Sequence, residues 1–294
     1  MTSPDPPPCQ GPDPNPRQPR LTVPPGACDC HAHILGPLAR YPFVAERGYT
    51  PPEALLATYR HMLATLGLSR AVIVQPSVYG TDNSATLAAI AASEGAFRGV
   101  AVVGADVTDA ELAELHRAGM RGLRINPLYK HAASLADCQR LAERIAPLGW
   151  HLQIFLDVSG LSQQEQAMLS RLPVPIVIDH MGYMPVSKGL DDPGFQWLLD
   201  QLAEGHAWAK LSGAYYLAST PGPPYRDVAP FAHALIEANP QRCIWASNWP
   251  HPMVTGQMPN DGDLMDLLGD WAPYAALRQA ILVDNPAALY GFNE

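Results

Sequence analysis

Short apolar runs alternate along the chain with longer segments of helical character, beginning near residue 27. In several runs, such as 71–74 and 176–178, every residue is apolar, which is typical of a strand buried on both faces. We predict eight strands, at 27–33, 70–75, 99–103, 122–125, 151–155, 175–180, 207–211 and 242–247.

The segments between these strands contain helix-start signals. Pro51-Pro52-Glu53 begins a predicted helix that runs to about Leu66, Asp82 caps a helix over 83–93, and Thr108 forms a capping box with Glu111. Further helices are predicted at 134–148, 193–203, 227–238 and 272–290. Eight strands that alternate with helices predict a single-domain, TIM-like (β/α)8 barrel of the α/β class. The alternative is a doubly wound open sheet, which usually has a glycine-rich turn after its first strand.

The first 25 residues are dense in proline and differ from the rest of the chain. Such a segment cannot bury enough apolar surface to fold alone. We therefore divide the chain into a flexible or draped N-terminal arm, residues 1–25, and a barrel domain, residues 26–294. A homodimer would be one way to order the arm, and we expect a monomer or a homodimer.

Composition narrows the possible partners and the location. The net charge of -9 disfavours a nucleic-acid partner, because phosphate binding needs a basic face. The five cysteines follow neither a disulfide framework nor zinc-finger spacing, so we expect reduced thiols in a cytoplasmic protein. No apolar run reaches the length of a membrane span, and no signal-peptide core is present at the N-terminus.

Polar residues follow the predicted strands at the end where barrel enzymes have their active sites. Strand one ends in Asp29-Cys30-His31-Ala32-His33, and a period of two places Asp29, His31 and His33 on one face. His180 follows strand six, Asn248 and His251 follow strand eight, and Arg124 ends strand four. Clustered histidines of this kind indicate a metal or acid–base site. The remaining histidines are predicted to be surface or bottom-face residues without function: His61, His116, His151, His206 and His233.

Several motifs together resemble the amidohydrolase superfamily, and within it the branch of 2-pyrone-4,6-dicarboxylate lactonase, 4-sulfomuconolactone hydrolase and galactarolactone isomerase. The resemblance extends from about Pro25 to Phe292. It rests on Gly26-Ala27-Cys28-Asp29-Cys30-His31-Ala32-His33, Val72-Ile73-Val74-Gln75-Pro76-Ser77 with Gly80-Thr81-Asp82-Asn83, Gly119-Met120-Arg121-Gly122-Leu123-Arg124, Pro175-Ile176-Val177-Ile178-Asp179-His180-Met181-Gly182, and Trp249-Pro250-His251-Pro252.

The resemblance implies an enzyme that hydrolyses the ester bond of an anionic lactone, carboxylated or sulfonated, in the breakdown of aromatic compounds. It implies that His31, His33 and His180 polarise the lactone carbonyl. It also implies that the residues binding the substrate's acidic groups are Tyr49, Ser77, Arg124 and Lys130. A planar guanidinium suits such groups, although Arg124 could instead form a salt bridge within the barrel mouth.

Two positions depart from the pattern of that branch. The aspartate that takes a proton from water is Asn248 here, and an amide cannot do this. Either His251 or Asp29 is the base, or water is not the nucleophile. If water is not the nucleophile, the protein would be a lactone isomerase of sugar-acid metabolism. A third alternative is a non-catalytic binding protein. In addition, Tyr216 stands where the dicarboxylate lactonase has an arginine, which argues against a pyrone dicarboxylate substrate.

The superfamily pattern raises the question of a metal. Many members hold zinc with the H-x-H pair and with residues on strands four, five, six and eight. Here strand four ends in Arg124 and strand five in Phe155-Leu156-Asp157, without a histidine. His31, His33 and His180 could still form a three-histidine zinc site. Because Arg124 and Lys130 add positive charge, we expect metal-independent catalysis with no required cofactor.

Overall fold

The computed structural model describes residues 6–126, 132–220 and 222–292. One sheet of eight parallel strands forms its centre, with neighbours in chain order. The strands are β1 (Cys28–Ala32), β2 (Arg70–Val74), β3 (Phe97–Ala101), β4 (Met120–Ile125), β5 (His151–Ile154), β6 (Ile176–Ile178), β7 (Ala207–Leu211) and β8 (Cys243–Trp245). The helices are α1 (Leu56–Leu66), α2 (Ser84–Ala91), α3 (Asp109–Arg117), α4 (Cys138–Ile145), α5 (Gln163–Leu169), α6 (Pro193–Ala203), α7 (Ala214–Leu217), α8 (Ala229–Ala238), α9 (Asp261–Trp271), α10 (Ala275–Gln279) and α11 (Asn285–Tyr290).

The sheet closes on itself where the chain leaving β8 meets β1. The backbone N–H of Asn248 donates to the carbonyl of His31 at 2.9 Å, and that of His33 donates to Trp249 at 2.8 Å. Closure confirms the predicted (β/α)8 barrel and rules out the open sheet.

Strand β1 contains a bulge that the period-two prediction missed. Three residue steps separate Asp29 from Ala32, while only two separate their partners on β2. The extra residue reverses the alternation, as bulges do. Cys30 packs inside the barrel before the bulge, and His31 and His33 still point inward after it. The prediction that Asp29 shares their face is therefore wrong.

Asp29 lies outside the barrel wall, where its carboxylate joins β1 to β8. It accepts hydrogen bonds from the backbone N–H groups of His31 and Ser247, from the Ser247 hydroxyl and from Tyr59 on α1, at 2.5–3.1 Å. Burial raises the pKa of Asp29 to about 6, against the effect of these donors. A structural role at the seam explains this residue, and it is not available as a base inside the barrel.

Other elements differ from the sequence prediction in identifiable ways. Helices α5 and α9 were not predicted; α5 is short, although Ser162 and Glu165 form a capping box at its start. His151, predicted to be a bottom-face or surface residue, is 1% exposed, and its ring lies 5.3 Å from that of Tyr290. Within the described residues, no helix is long and apolar enough to cross a membrane.

The described part of the proline-rich segment, residues 6–25, lies against the barrel. The backbone of Thr50 donates to Pro7 at 2.8 Å and accepts from Cys9 at 3.0 Å. Further along, the Arg17 guanidinium pairs with Asp263 at 2.5 Å and with Asp266 at 2.6 Å on α9. These contacts connect the segment to the loop that contains Tyr49 and to the start of α9.

We expect Gly122→Ala to destabilise the barrel, because a Cβ at this position would lie 2.6 Å from Nε2 of the buried His151 ring. Overpacking of this kind costs about 1–3 kcal/mol in the free energy of unfolding. Gly160→Ala is the control, since nothing lies within 4 Å of a Cβ there. Denaturant unfolding of both variants tests the packing, and equal stability would contradict it.

Candidate active site

A cavity of about 300 Å³ lies at the carboxyl ends of the strands. Six of the predicted site residues line it: His33, Tyr49, Ser77, Arg124, His180 and Asn248. A larger hollow, of about 700 Å³, lies near α2 and α3, and the described residues that line it are acidic, neutral polar and apolar, without a histidine. The chemistry therefore concentrates in the smaller cavity.

Two further predicted site residues, His31 and His251, do not line this cavity. His31 is fully buried behind His33, with the two Nε2 atoms 3.2 Å apart. His251 is also fully buried, and its ring nitrogens bond to Tyr215 and Asp261. Lys130 lies outside the described residues.

Side chains from five strands meet beneath the cavity and form what we call the interior polar cluster: His31, Arg124, Gln153, Asp179 and Lys210. The carboxylate of Asp179 is at its centre. It lies 3.2 Å from Arg124 Nη2, 3.3 Å from Lys210 Nζ, 3.1 Å from Gln153 Nε2 and 3.2 Å from His31 Nδ1. Lys210 also donates to Gln153 Oε1 at 2.7 Å.

The interior polar cluster contains more positive than negative charge. Burial alone would raise the pKa of Asp179, but the neighbouring cations Lys210 and Arg124 hold it well below its ordinary value. Asp179 is thus a carboxylate at neutral pH, and it faces two cations, Arg124 and Lys210. The cluster therefore has an excess positive charge directly below the cavity, where a low dielectric strengthens its field.

The two histidines of strand β1 form a directed hydrogen-bond chain. Nδ1 of His33 must carry a hydrogen, because its partner at 2.7 Å is the carbonyl of Val74. Nε2 of His33 then accepts from His31, and Nδ1 of neutral His31 accepts from Lys210 at 3.2 Å. Burial, with Arg124 acting in the same direction, lowers the pKa of His33 to about 3. Both rings are therefore neutral at pH 7 in the unliganded protein.

His180 also borders the cavity, with its ring centroid 4.9 Å from that of His31 and with aromatic rings around it. Its Nδ1 lies 2.9 Å from the Ser212 hydroxyl, and burial lowers the pKa of the ring to about 3. When Ser212 donates to Nδ1, the ring hydrogen is on Nε2 and is available to the cavity. Phe155, Tyr183 and Tyr216 surround the ring, with centroids 5.7–6.4 Å from it. This side of the cavity suits a flat, partly apolar ring.

The cavity also contains hydroxyl groups near the positive charge. Tyr49 is hydrogen-bonded to Ser77 and lies within the field of Arg124. The guanidinium of Arg124 is only 6% exposed and stacks over Phe155 at 5.6 Å. Arg124 therefore has both expected roles open to it: it forms the salt bridge with Asp179, and it borders the cavity.

Asn248 occupies a left-handed backbone conformation, with φ of 64°, which asparagine tolerates better than most residues. Its side-chain Nδ2 donates to the hydroxyls of Tyr215 at 2.9 Å and Tyr216 at 3.3 Å. The amide is thus held in place by two tyrosines of α7 while it borders the cavity.

The ligand atoms of His31, Asp179 and His180 lie within 4.8 Å of one another, which makes them the candidate metal group. Their surroundings do not fit a divalent cation. Lys210 Nζ lies 3.2 Å from His31 Nδ1 and 3.3 Å from Asp179, so an ion between these atoms would meet an ammonium group. The single carboxylate is already outnumbered by two cations, and the lone pairs of His31 and His33 have donors without a metal.

Sequence reasoning missed Lys210, Gln153 and the pair Tyr215 and Asp261. Lys210 stands in the otherwise apolar run Ala207–Leu211 and is fully buried. A charged residue in a strand that is buried on both faces was the available signal, since such residues are rarely buried unless paired. Asp261 gave no comparable signal, because its helix was not predicted.

Known proteins resemble the chain along most of its length. The amidohydrolase family model matches residues 28–292. A 2-pyrone-4,6-dicarboxylate hydrolase of Comamonas testosteroni is 40% identical, over 94% of this chain and 93% of its own. A 4-sulfomuconolactone hydrolase of Hydrogenophaga intermedia is 37% identical, over 96% and 94%. A D-galactarolactone isomerase of Agrobacterium fabrum is 33% identical, over 95% and 94%.

We expect Lys210→Met to lower the free energy of unfolding by about 3–5 kcal/mol, the usual cost of breaking a buried charge network. The matched control is Lys188→Met, because Lys188 is 3.7 Å from Asp157 in an exposed pair that is worth about 1 kcal/mol or less. Urea unfolding measures both. A Lys210→Met protein as stable as the control would show that the interior polar cluster does not depend on the lysine.

Proposed function

This chain belongs to the amidohydrolase family, and we propose that it hydrolyses the ester bond of a lactone that carries a carboxylate or sulfonate group. The observation that supports this most directly is the excess positive charge under a cavity lined by His33, His180 and Arg124. The two lactone hydrolases that are 37–40% identical to the chain support the same reaction class. Breakdown of aromatic compounds is the pathway class that fits them.

The cavity offers separate places for the ring and for the acidic group of such a substrate. Phe155, Tyr183 and Tyr216 form an aromatic wall next to His180, against which an unsaturated ring can lie. Arg124, Tyr49 and Ser77 provide a guanidinium and two hydroxyls at another part of the lining. A carboxylate or sulfonate there would balance the excess positive charge of the interior polar cluster.

The same residues can stabilise the transition state of ester hydrolysis. The carbonyl oxygen of a lactone gains negative charge when the ring carbon is attacked, and fixed donors stabilise it most in a low-dielectric site. We assign this role to the positive field of the interior polar cluster, with Arg124 and His33 on the polar side of the cavity.

Asn248 and a cavity histidine divide the work of activating water. The Asn248 amide can accept a hydrogen bond from water but cannot take its proton. Asp29 lies outside the barrel wall, and both nitrogens of His251 are engaged. Both nitrogens of His33 are engaged as well, so we assign the proton to His180, in the tautomer in which its Nδ1–H donates to Ser212 and its Nε2 accepts from water.

We further propose that the reaction requires no metal. The argument is electrostatic, because Arg124 and Lys210 already supply the positive charge that zinc provides in metal-assisted hydrolyses. We also place the enzyme in the cytoplasm, because all five cysteines are free thiols and four of them are buried.

Lactone isomerisation is the second candidate, and Asn248 is the observation that favours it. If a hydroxyl of the substrate attacks the carbonyl, the ester moves along the molecule and no water needs to be activated. The 33% identical D-galactarolactone isomerase supports this alternative.

A panel of carboxylated, sulfonated and neutral lactones distinguishes the candidates. Hydrolysis releases one acid group for each turnover, which a pH indicator records. Isomerisation changes the proton NMR spectrum of the lactone without acid release, and a protein that only binds the lactone does neither. Acid release with no preference for the anionic lactones would contradict the proposal about substrate charge.

We expect Arg124→Met to lower kcat/KM for an anionic lactone by about 30- to 1000-fold, which corresponds to about 2–4 kcal/mol for an unpaired buried charge. A neutral lactone of the same ring size is the control substrate, and its turnover should fall much less. An equal loss on both substrates would mean that Arg124 acts only through its salt bridge with Asp179.

We expect Asn248→Asp to separate the two reactions. In a hydrolase whose base is a cavity histidine, a second base is redundant, so acid release should change by less than about tenfold. In an isomerase, the new carboxylate should create acid release that the unmodified protein lacks, with a gain of about 10²–10⁴-fold. Stopped-flow pH measurements on both proteins check this, and a rise of much more than tenfold in a protein that already hydrolyses the lactone would contradict a histidine base.

A further inference from the structure

We propose that Asp261, His251 and Tyr215 form a hydrogen-bonded chain that orients the Asn248 amide, with its carbonyl oxygen toward the cavity and toward the attacking nucleophile. These three are positioning residues, because none of them lines the cavity. The catalytic consequence of the orientation rests on the proposed lactone chemistry, whereas the orientation itself does not.

The four groups follow one another at hydrogen-bond distances. Asp261 Oδ1 is 3.1 Å from His251 Nε2, and His251 Nδ1 is 3.0 Å from the Tyr215 hydroxyl. That hydroxyl is 2.9 Å from Asn248 Nδ2. Asp261, His251 and Asn248 are at most 1% exposed and Tyr215 is half-buried, so the Asp261–His251 bond is shielded from water and the two bonds of Tyr215 are partly shielded.

The hydrogens in this chain can be assigned from its acceptor-only end. Asp261 is the first residue of α9, where the helix N-terminus favours a negative charge. Its carboxylate accepts from Nε2 of His251, so Nδ1 accepts from Tyr215. Burial raises the pKa of Tyr215 well above its ordinary value, so the hydroxyl keeps its hydrogen and directs it to His251. The Tyr215 oxygen is then left to accept from Asn248.

A second tyrosine fixes the other hydrogen of the amide. The Tyr216 hydroxyl donates to the carbonyl of Pro252 at 2.5 Å, and its oxygen lies 3.3 Å from Asn248 Nδ2. Both N–H bonds of Asn248 are therefore used on tyrosine oxygens, and Oδ1 is the atom left for the cavity.

Rotation of the amide by 180° would break this pattern. Oδ1 would then face two tyrosine oxygens, and each hydroxyl would have to turn its hydrogen toward the amide. His251 Nδ1 and the Pro252 carbonyl would both lose their donors in a buried setting, which is costly. The chain that begins at Asp261 thus selects one of two amide orientations of nearly equal shape.

The selected orientation of the Asn248 amide determines how the attacking nucleophile is held. A carbonyl oxygen accepts the O–H of water or of a substrate hydroxyl and leaves a lone pair of that oxygen free for attack. The NH2 group would bind the same lone pair and hold the nucleophile the wrong way round. The chain should therefore affect kcat, which depends on the alignment of the nucleophile, and not the binding of the substrate anion by Arg124.

The kinetic test uses His251→Asn and Tyr215→Phe, with His233→Asn as the control at an exposed histidine. On the best lactone of the panel, we expect kcat to fall about tenfold for the two chain variants, with KM changed less than about twofold. In the Asn248→Asp background the effect of His251→Asn should disappear, because the two oxygens of a carboxylate are equivalent. An unchanged kcat, or an equal loss in both backgrounds, would overturn the proposal.

A second test needs no turnover. In protein labelled with 15N-asparagine, the side-chain signal that Asn248→Asp removes belongs to Asn248. We expect its hydrogens to exchange slowly with solvent, and Tyr215→Phe or His251→Asn to accelerate exchange at least about tenfold while His233→Asn does not. Unchanged exchange would refute the orientation. Accelerated exchange in a protein that turns over no lactone would leave the orientation standing and refute the proposed function.

Discussion

The structure of the site depends on the buried carboxylate of Asp179. Without it, the cations Arg124 and Lys210 would face each other in a low-dielectric interior with nothing to offset their repulsion. With it, four strands contribute side chains that converge on one point, and Lys210 in turn donates to His31. The orientation of the histidine pair is thus a consequence of how the barrel compensates charge beneath the cavity.

The seam between β8 and β1 imposes the second constraint. The extra residue in β1 reverses the alternation of its side chains, so that His31 and His33 face inward while Asp29 faces the helices. The Asp29 carboxylate then receives backbone and side-chain donors of Ser247, one residue before Asn248. The same few residues close the barrel and set the positions of two catalytic candidates, which makes closure and site geometry inseparable here.

The sequence predicted the parts of the molecule that are set by local pattern. Eight apolar runs predicted the barrel, polar residues at their ends predicted four residues of the cavity lining, and the family resemblance added Tyr49 and Ser77. It did not predict the bulge at Asp29, because a bulge depends on the register with a neighbouring strand. Nor did it find Lys210, whose partner Gln153 is far away in the chain, or Asp261, which pairs with His251 at the start of a helix that was not predicted. Long-range pairing of buried polar groups leaves little trace in a single sequence.

Asn248 borders the cavity above the interior polar cluster and also ends the hydrogen-bonded chain from Asp261 to Tyr215. Its lack of charge affects both. A carboxylate at this position would place a second negative charge near the interior polar cluster and would reduce the excess positive charge that Arg124 and Lys210 provide. The neutral amide leaves the excess positive charge to be balanced by the substrate, but it cannot take a proton from water as a carboxylate would. It also has two chemically different ends, so its function depends on an orientation that a symmetric carboxylate would not need. The chain from Asp261 to Tyr215 is therefore understandable as the structural counterpart of having asparagine at this position.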